Sequence, residues 1–323
     1  MTQPTRYSWK LLRTGLIRLD GGGMFGVVPR VIWSRALPPD EQNRVTVAQN
    51  SLLLHRVGPG PGPGRVVIEV GSGDKFGPKM RKIFGLEDRS IINAIDETGL
   101  RCDQIDHVIV SHLHFDHAGG LTRRTREGET PDWVRPKPDP DSPDGVKLTF
   151  PNARVSVQKR EWEDATANRS VMTRTYLTDH LGPIRDHLHL IDSPEPFEPG
   201  TRPDRSKLPA TSVAERETEV VPGIHVLRVP GHTWGQHAIR FTDDRDRTVV
   251  FTPDLMPTVH HVSPAYSLAY DVEPYVTVVT KNWFLKAAAE QDWLLVLDHE
   301  PGNPVVRVRP DGKGWFQLHP EDM

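Results

Sequence analysis

Four short apolar runs in this chain each end on a histidine or an aspartate. Residues 108–110 lead into Ser111-His112-Leu113-His114-Phe115-Asp116-His117-Ala118-Gly119-Gly120, and residues 226–229 end at Pro230-Gly231-His232. Residues 248–251 end at Thr252-Pro253-Asp254, and residues 293–297 end at Asp298-His299-Glu300. Short β-branched or leucine-rich runs of this kind read as buried strands. In α/β proteins, ligands collect in the crevice outside the carboxyl ends of parallel strands. The pattern therefore predicts a layered α/β fold in which parallel neighbours of one layer bring these side chains to a single crevice.

The residue types say what that crevice is for. Three imidazoles and a carboxylate fall within the six positions from His112 to His117, a density that apolar packing does not call for. Imidazole nitrogen and carboxylate oxygen are donors that suit zinc and its divalent neighbours. Taken singly, His232, Asp254 or His299 reads as an ordinary satisfied polar residue; their shared placement at strand ends points to a common site. Five histidines and two aspartates exceed the four donors of one zinc, so they imply two adjacent cations with one carboxylate between them. Such a pair can share a water and lower its pKa toward neutrality, which creates a hydroxide nucleophile.

Composition narrows the partners. A 323-residue chain that is 36% hydrophobic can bury a sizeable core, read here as one domain over 1–323. A net charge of −3 leaves no basic footprint for nucleic acid or an anionic membrane, so a neutral small molecule fits better. The single cysteine, Cys102, excludes an internal disulfide and a thiolate metal cluster. With no long apolar span and no secretory apolar segment at the N-terminus, a cytoplasmic protein that does not engage membranes is expected.

Along the chain, residues 8–19 and 27–33 read as two strands around the glycine-rich turn 20–26. There Met24, Phe25 and Trp33 form either an apolar lip for a substrate or the flank of a plain hairpin. Residues 45–57 and 65–70 read as a hairpin, 88–98 as a helix, 153–157 as a strand, and 159–167 and 282–290 as helices. Two polar, proline-bearing stretches, 122–147 and 195–218, lack an apolar period and read as inserted loops.

The run from His112 to His117, with Gly231-His232, Asp254 and His299 downstream, resembles the metallo-β-lactamase superfamily. Residues 20–29 and Asp254-Leu255-Met256-Pro257-Thr258 are similar to quorum-quenching N-acyl-homoserine lactonases, especially the YtnP-like group. The resemblance implies an αββα sandwich of two mixed sheets flanked by helices, with two divalent ions at its edge. Zinc comes foremost; manganese, cobalt and iron are accepted by the same donors. His112, His114 and His232 would hold the first ion, Asp116, His117 and His299 the second, and Asp254 would bridge them. A bridging hydroxide would then attack the lactone carbonyl, with Asp116 carrying the proton to the leaving alkoxide. The related alternatives are hydrolysis of organophosphate triesters, aryl esters or thioesters. A di-iron redox protein is disfavoured because no flavin-binding segment is evident. A homodimer is expected by analogy.

This chain departs from the family pattern in two places. Glu69 ends the early strand where many members have an aspartate, and Pro257 stands where some lactonases have a tyrosine. His261, Tyr266 or Tyr270 are the substitutes for that phenol, with Tyr266 and Trp234 also considered for the pocket wall.

Overall fold

The computed structural model describes residues 4–139, 142–171, 175–197, 201–203 and 212–322. Its first sheet is built from β1 (Tyr7–Asp20), β2 (Arg44–Arg56), β3 (Arg65–Ile68) and β4 (His107–Ile109). Three short strands, β5 (Thr122–Arg124), β6 (Trp133–Val134) and β7 (Gly145–Leu148), form a small sheet of their own in the order β5-β7-β6. The first sheet then resumes with β8 (Arg154–Gln158) and β9 (Leu188–Ile191), giving the order β1-β2-β3-β4-β8-β9.

The second large sheet runs in simple sequence order. It contains β10 (Glu217–Val221), β11 (Ile224–Arg228), β12 (His237–Thr242), β13 (Thr248–Thr252), β14 (Leu294–Leu297), β15 (Val305–Pro310) and β16 (Phe316–Pro320). Both sheets are mixed: β3, β4, β8 and β9 pair in parallel, as do β13 and β14, and the other neighbours in these two sheets are antiparallel.

The alternation of side chains along each strand builds the layers. Leu52, Leu54, Val66, Ile68 and Ile109 of the first sheet meet Val249, Phe251, Leu294 and Val296 of the second in one buried cluster. The intervening residues face outward and bury as well. Leu53, Val67 and Val108 pack with Ile91 and Ile95 of the helix Ile91–Asp96, whereas Val250, Leu295 and Leu297 pack with Phe284 and Leu285 of the helix Pro274–Glu290. Strands that are apolar on both faces need cover on both faces, and the result is the αββα sandwich.

The expectation of one parallel layer is corrected here. β11, β13 and β14 point the same way in the second sheet, but β4 belongs to the first. Because the sheets pack face to face, these strand ends reach a common edge from both sides. Strand β2 stitches that edge: Asn50 N donates to Asp298 O at 2.8 Å, and Ala48 N donates to His299 O at 3.1 Å. The Asn50 side chain donates further to Leu297 O and Glu300 O, at 2.8 and 3.0 Å, so carbonyls beyond the end of β14 are satisfied without water.

Other departures have local causes. Residues 27–33 are not a strand: Asp20 caps the helical turn Gly21–Phe25 by accepting Gly23 N–H, and the helix Arg30–Ala36 starts just after Pro29. Val27, Val31 and Ile32 are exposed, so their apolar spacing does not report a buried strand face. The helix Pro274–Glu290 begins well before 282 because buried packing of Val276, Val279 and Thr280 overrides their β-branched preference. The stretch 122–147 is not plain loop. Asp132 accepts from Leu148 N and pairs with Lys147, and Arg123 makes a two-pronged bond to Glu129, which holds β5, β6 and β7 together without an apolar period. Of 195–218, Val213–Arg216 is a helical turn and β10 begins at Glu217; residues 198–200 and 204–211 lie outside the described residues. Among the described residues no helix is long and apolar enough to cross a membrane.

His107, the first residue of β4, is buried and hydrogen-bonded at 2.7 Å to Ser156 Oγ of β8. Burial, with His189 and Arg154 nearby, lowers its pKa from 6.5 to about 4. A histidine held neutral by folding contributes stability above its unfolded pKa and loses it as pH falls toward the folded value. Urea unfolding should therefore show that His107→Gln loses about 2 kcal/mol less than wild type on going from about pH 7 to about pH 5. Equal losses would contradict this account.

Candidate metal centre

After β4 the chain passes Ser111, whose N–H donates to Glu69 Oε1 at 2.5 Å, and reaches His112 and His114. His114 then caps the short helix Phe115–Ala118, its carbonyl accepting from His117 N and Ala118 N, so Asp116 and His117 are turned back toward His112. The turn that follows packs tightly against the end of β3. A Cβ on Gly119 would lie 2.3 Å from Ser72 O, and one on Gly120 would lie 2.1 Å from Val70 O, so only glycine fits at either position.

The seven predicted residues converge. His114 Nδ1 and His232 Nε2 are 3.0 Å apart, and His117 Nε2 and His299 Nε2 are 3.3 Å apart. Asp254 lies between the groups, with Oδ2 at 3.0 Å from His232 Nε2, 3.5 Å from His117 Nε2 and 3.9 Å from His112 Nε2, and with Oδ1 at 3.4 Å from His299 Nε2. Asp116 stands at the same end, 3.7 Å from His299 Nε2 and 4.0 Å from His117 Nε2. Bonds of about 2.1 Å to a tetrahedral cation place its donors roughly 3.4 Å apart. Two sets meet that scale, each with its donor atoms within 4.8 Å of one another: His112, His114, His232 and Asp254, and His117, Asp254, Asp298 and His299.

The donors themselves test the fit. Among the described residues, His112 Nε2, Asp254 Oδ1 and both oxygens of Asp298 are buried with no hydrogen-bond partner, a costly arrangement unless a cation compensates it. Burial and the neighbouring His117, His114 and His232 hold His112 well below the usual imidazole range, so it is neutral and able to bind. Burial opposes the charge on Asp254, yet His232 and His299 hold its carboxyl well below the usual range. Burial, Asp254 and Glu69 push Asp298 the other way, well above it. The residues fit two divalent cations.

The far nitrogens of His112, His117, His232 and His299 are also engaged, which sets tautomer and ring direction. His117 Nδ1 meets Glu69 Oε2 at 3.1 Å, His232 Nδ1 meets Asp271 Oδ1 at 2.9 Å, His299 Nδ1 meets Ala48 O at 2.7 Å and His112 Nδ1 meets Ser111 Oγ at 3.0 Å. Glu69 thus has a place despite its departure from the family aspartate. Although burial opposes it, Asp254 and Asp271 carry His232 up to about 10. Glu161 joins the ligand loops: its carboxylate accepts from Leu113 N at 3.0 Å, Thr233 Oγ1 at 2.6 Å and the Tyr176 hydroxyl at 3.0 Å.

Above the donors opens a cavity of about 490 Å³, with His114, Asp116, His232, Asp254 and His299 at its polar end. Met24, Phe76, Phe84, Phe115 and Leu268 line it, together with Tyr270, and Asp139 and Ser142 of the 122–147 stretch reach it. Of the residues the sequence offered for the substrate pocket, Met24 and the phenol candidate Tyr270 lie on this wall, and Phe25, Trp33, His261 and Tyr266 do not. Phe25 and Trp33 stack on each other behind it, with ring centroids 5.2 Å apart, and Tyr266 meets Phe25 edge-on. His261 is fully buried, its nitrogens taken by Thr258 Oγ1 and Met24 O at 2.8 Å each, and it stacks on Phe25. Trp234 packs with Phe197, Val276 and Val279. Phe25, Trp33 and Tyr266 pack with Met24 in one cluster, and Met24 takes the place on the cavity lining, whereas Trp234 belongs to a separate cluster. Glu161, Asp271 and Phe76 carried no motif in the sequence; Asp298 and Phe115 stood beside predicted ligands.

The chain belongs to the metallo-beta-lactamase superfamily, whose family profile matches residues 84–299. It is 27% identical over 177 residues to the N-acyl homoserine lactonase AiiA of Bacillus thuringiensis subsp. kurstaki, a match covering 55% of this chain and 47% of that protein. An N-acyl homoserine lactonase of Bacillus cereus is 24% identical over the same shares. The chain thus spans about half the length of the relatives it matches. In fold it is similar to a "probable metal-dependent hydrolase" from Staphylococcus aureus, with a TM-score of 0.72, 23% identity and full coverage of both chains. The dizinc quorum-quenching lactonase AidC follows with a TM-score of 0.66 at 17% identity, covering 100% of this chain and 99% of that one.

Asp271 touches the site only through His232. Removing such an orienting carboxylate typically costs about 10–100-fold in metal affinity. Asp271→Ala should show that loss in chelator competition, and an unchanged affinity would contradict the orienting role.

Proposed function

We propose that this protein is a dinuclear metal-dependent hydrolase that opens the lactone ring of N-acyl-homoserine lactones. The observation that carries the reading is a buried cluster of imidazoles and carboxylates of which His114, Asp116, His232, Asp254 and His299 reach the polar end of an apolar-walled cavity. That shape suits a substrate with a small polar ring and an apolar tail. The named activity of the Bacillus relatives supports the same substrate class.

In this reading His112, His114 and His232 would hold one cation, Asp116, His117 and His299 would hold the other, and Asp254 would be shared. When bound, zinc or a similar divalent pair supplies Lewis acidity and lowers the pKa of water toward neutrality. The chain does the rest. Met24, Phe76, Phe84 and Leu268 exclude water from the acyl tail. Asp116, on the cavity lining, takes the proton of the attacking water and passes it to the ring oxygen as the acyl carbon–oxygen bond of the lactone breaks.

Tyr270 takes the place of the phenol that Pro257 cannot supply. Burial, with Asp20, Asp116 and Asp254, pushes its hydroxyl up to about 12, so it remains a proton-bearing donor at neutral pH. A Cβ on Gly23 would meet that hydroxyl at 1.9 Å, which gives the glycine-rich turn a direct part in seating the phenol.

The test is a metal-loaded panel of acyl-homoserine lactones of short, medium and long acyl chain, aryl esters, thioesters and phosphotriesters. Lactones should give the highest kcat/KM; a higher value for a phosphotriester or an aryl ester would overturn the substrate assignment. Asp116→Asn, compared at equal metal content, should lose about 10²–10⁴-fold in kcat. Full activity would remove Asp116 from the proton path.

A further inference from the structure

Asp298 does not belong to the seven-residue set, yet its setting differs from that of an ordinary buried carboxylate. It is 2% exposed, neither of its oxygens has a well-formed hydrogen bond among the described residues, and the backbone donor beside it, His299 N, is engaged by Pro257 O at 3.0 Å. The charged groups around it are Asp254 and Glu69, both of like sign, and His117. Its backbone is fixed on both sides: Asp298 N donates to Thr252 O at 3.2 Å, and Asp298 O accepts from Asn50 N at 2.8 Å. The backbone that carries the side chain is thereby held at the seam between the sheets. One of its oxygens falls within 4.8 Å of donor atoms on His117, Asp254 and His299.

The two donor sets are consequently unequal. Three imidazoles and Asp254 make the first, whereas the second has two imidazoles with Asp254, Asp298 and, alongside, Asp116. Imidazole-rich sets favour zinc and its neighbours, and carboxylate-rich sets favour harder cations such as manganese.

We propose that Asp298 is an additional ligand of the second metal position and makes that position selective for a hard divalent cation of the Mn2+ type. The proposal rests on the dinuclear reading above.

Full-length apoprotein, titrated separately with Zn2+ and Mn2+ against a chelator, tests it. Wild type should bind two ions per chain, and the near-isosteric Asp298→Asn should keep the first affinity and lose at least 10-fold in the second. The loss should be larger for Mn2+ than for Zn2+. Two ions bound by both proteins with equal affinities would overturn the proposal alone and leave Asp298 as a buried neutral acid. Fewer than two ions bound by wild type would overturn it together with the dinuclear reading. Should Asp298→Asn fail to fold, Mn2+-loaded wild-type crystals decide. An Asp298 oxygen within about 2.4 Å of the second ion is expected, and one beyond bonding distance would refute the assignment.

Discussion

The carboxylate of Asp254 is the point on which the structure turns. It lies at the end of β13 with four imidazoles around it at 3.0 to 3.9 Å, two of them from the first sheet's ligand run and two from the second sheet. Such a concentration of buried donors has no purpose in packing, and without a compensating cation it is costly. The sandwich can hold it because its core lies elsewhere, in the three apolar layers formed by alternating strand residues.

Rigidity at the edge comes from hydrogen bonds that cross between the sheets. β2 meets the residues after β14 through Ala48 and Asn50, and His237 N donates to Ser111 O at 3.1 Å, so the segments carrying His299 and His112–His117 are each tied to the opposite sheet. Glu161 ties the loops of His112–His114 and His232 to each other. The ligands are thus placed by backbone and by carboxylates that never face the cavity, which is how donors on two separate sheets come to share one centre.

Much of this was legible in the amino-acid sequence. The strand-then-ligand runs picked out seven residues that the structure brings close together, because short buried strands and clustered imidazoles and carboxylates both leave local signals. The layer arrangement was not readable from the runs alone, since a β-branched run reads the same in either sheet. Val27, Val31 and Ile32 misled because apolar spacing over an exposed turn and helix imitates a strand. Asp271, Glu161 and the cavity wall of Phe76, Phe84 and Leu268 were hidden, because their roles arise from tertiary contact between segments far apart in the chain. Asp298 was visible only as a neighbour of His299; its lack of any partner appears once the seam is built.

The central claim is that the residues at this edge would hold two cations, with Asp254 shared by both sets, and that hydrolysis would need both. Apoprotein titrated with Zn2+ while lactone opening is followed tests it most directly. The account predicts that the rate stays low through the first equivalent and reaches its full value at two equivalents per chain. A full rate at one equivalent, unchanged by the second, would contradict it.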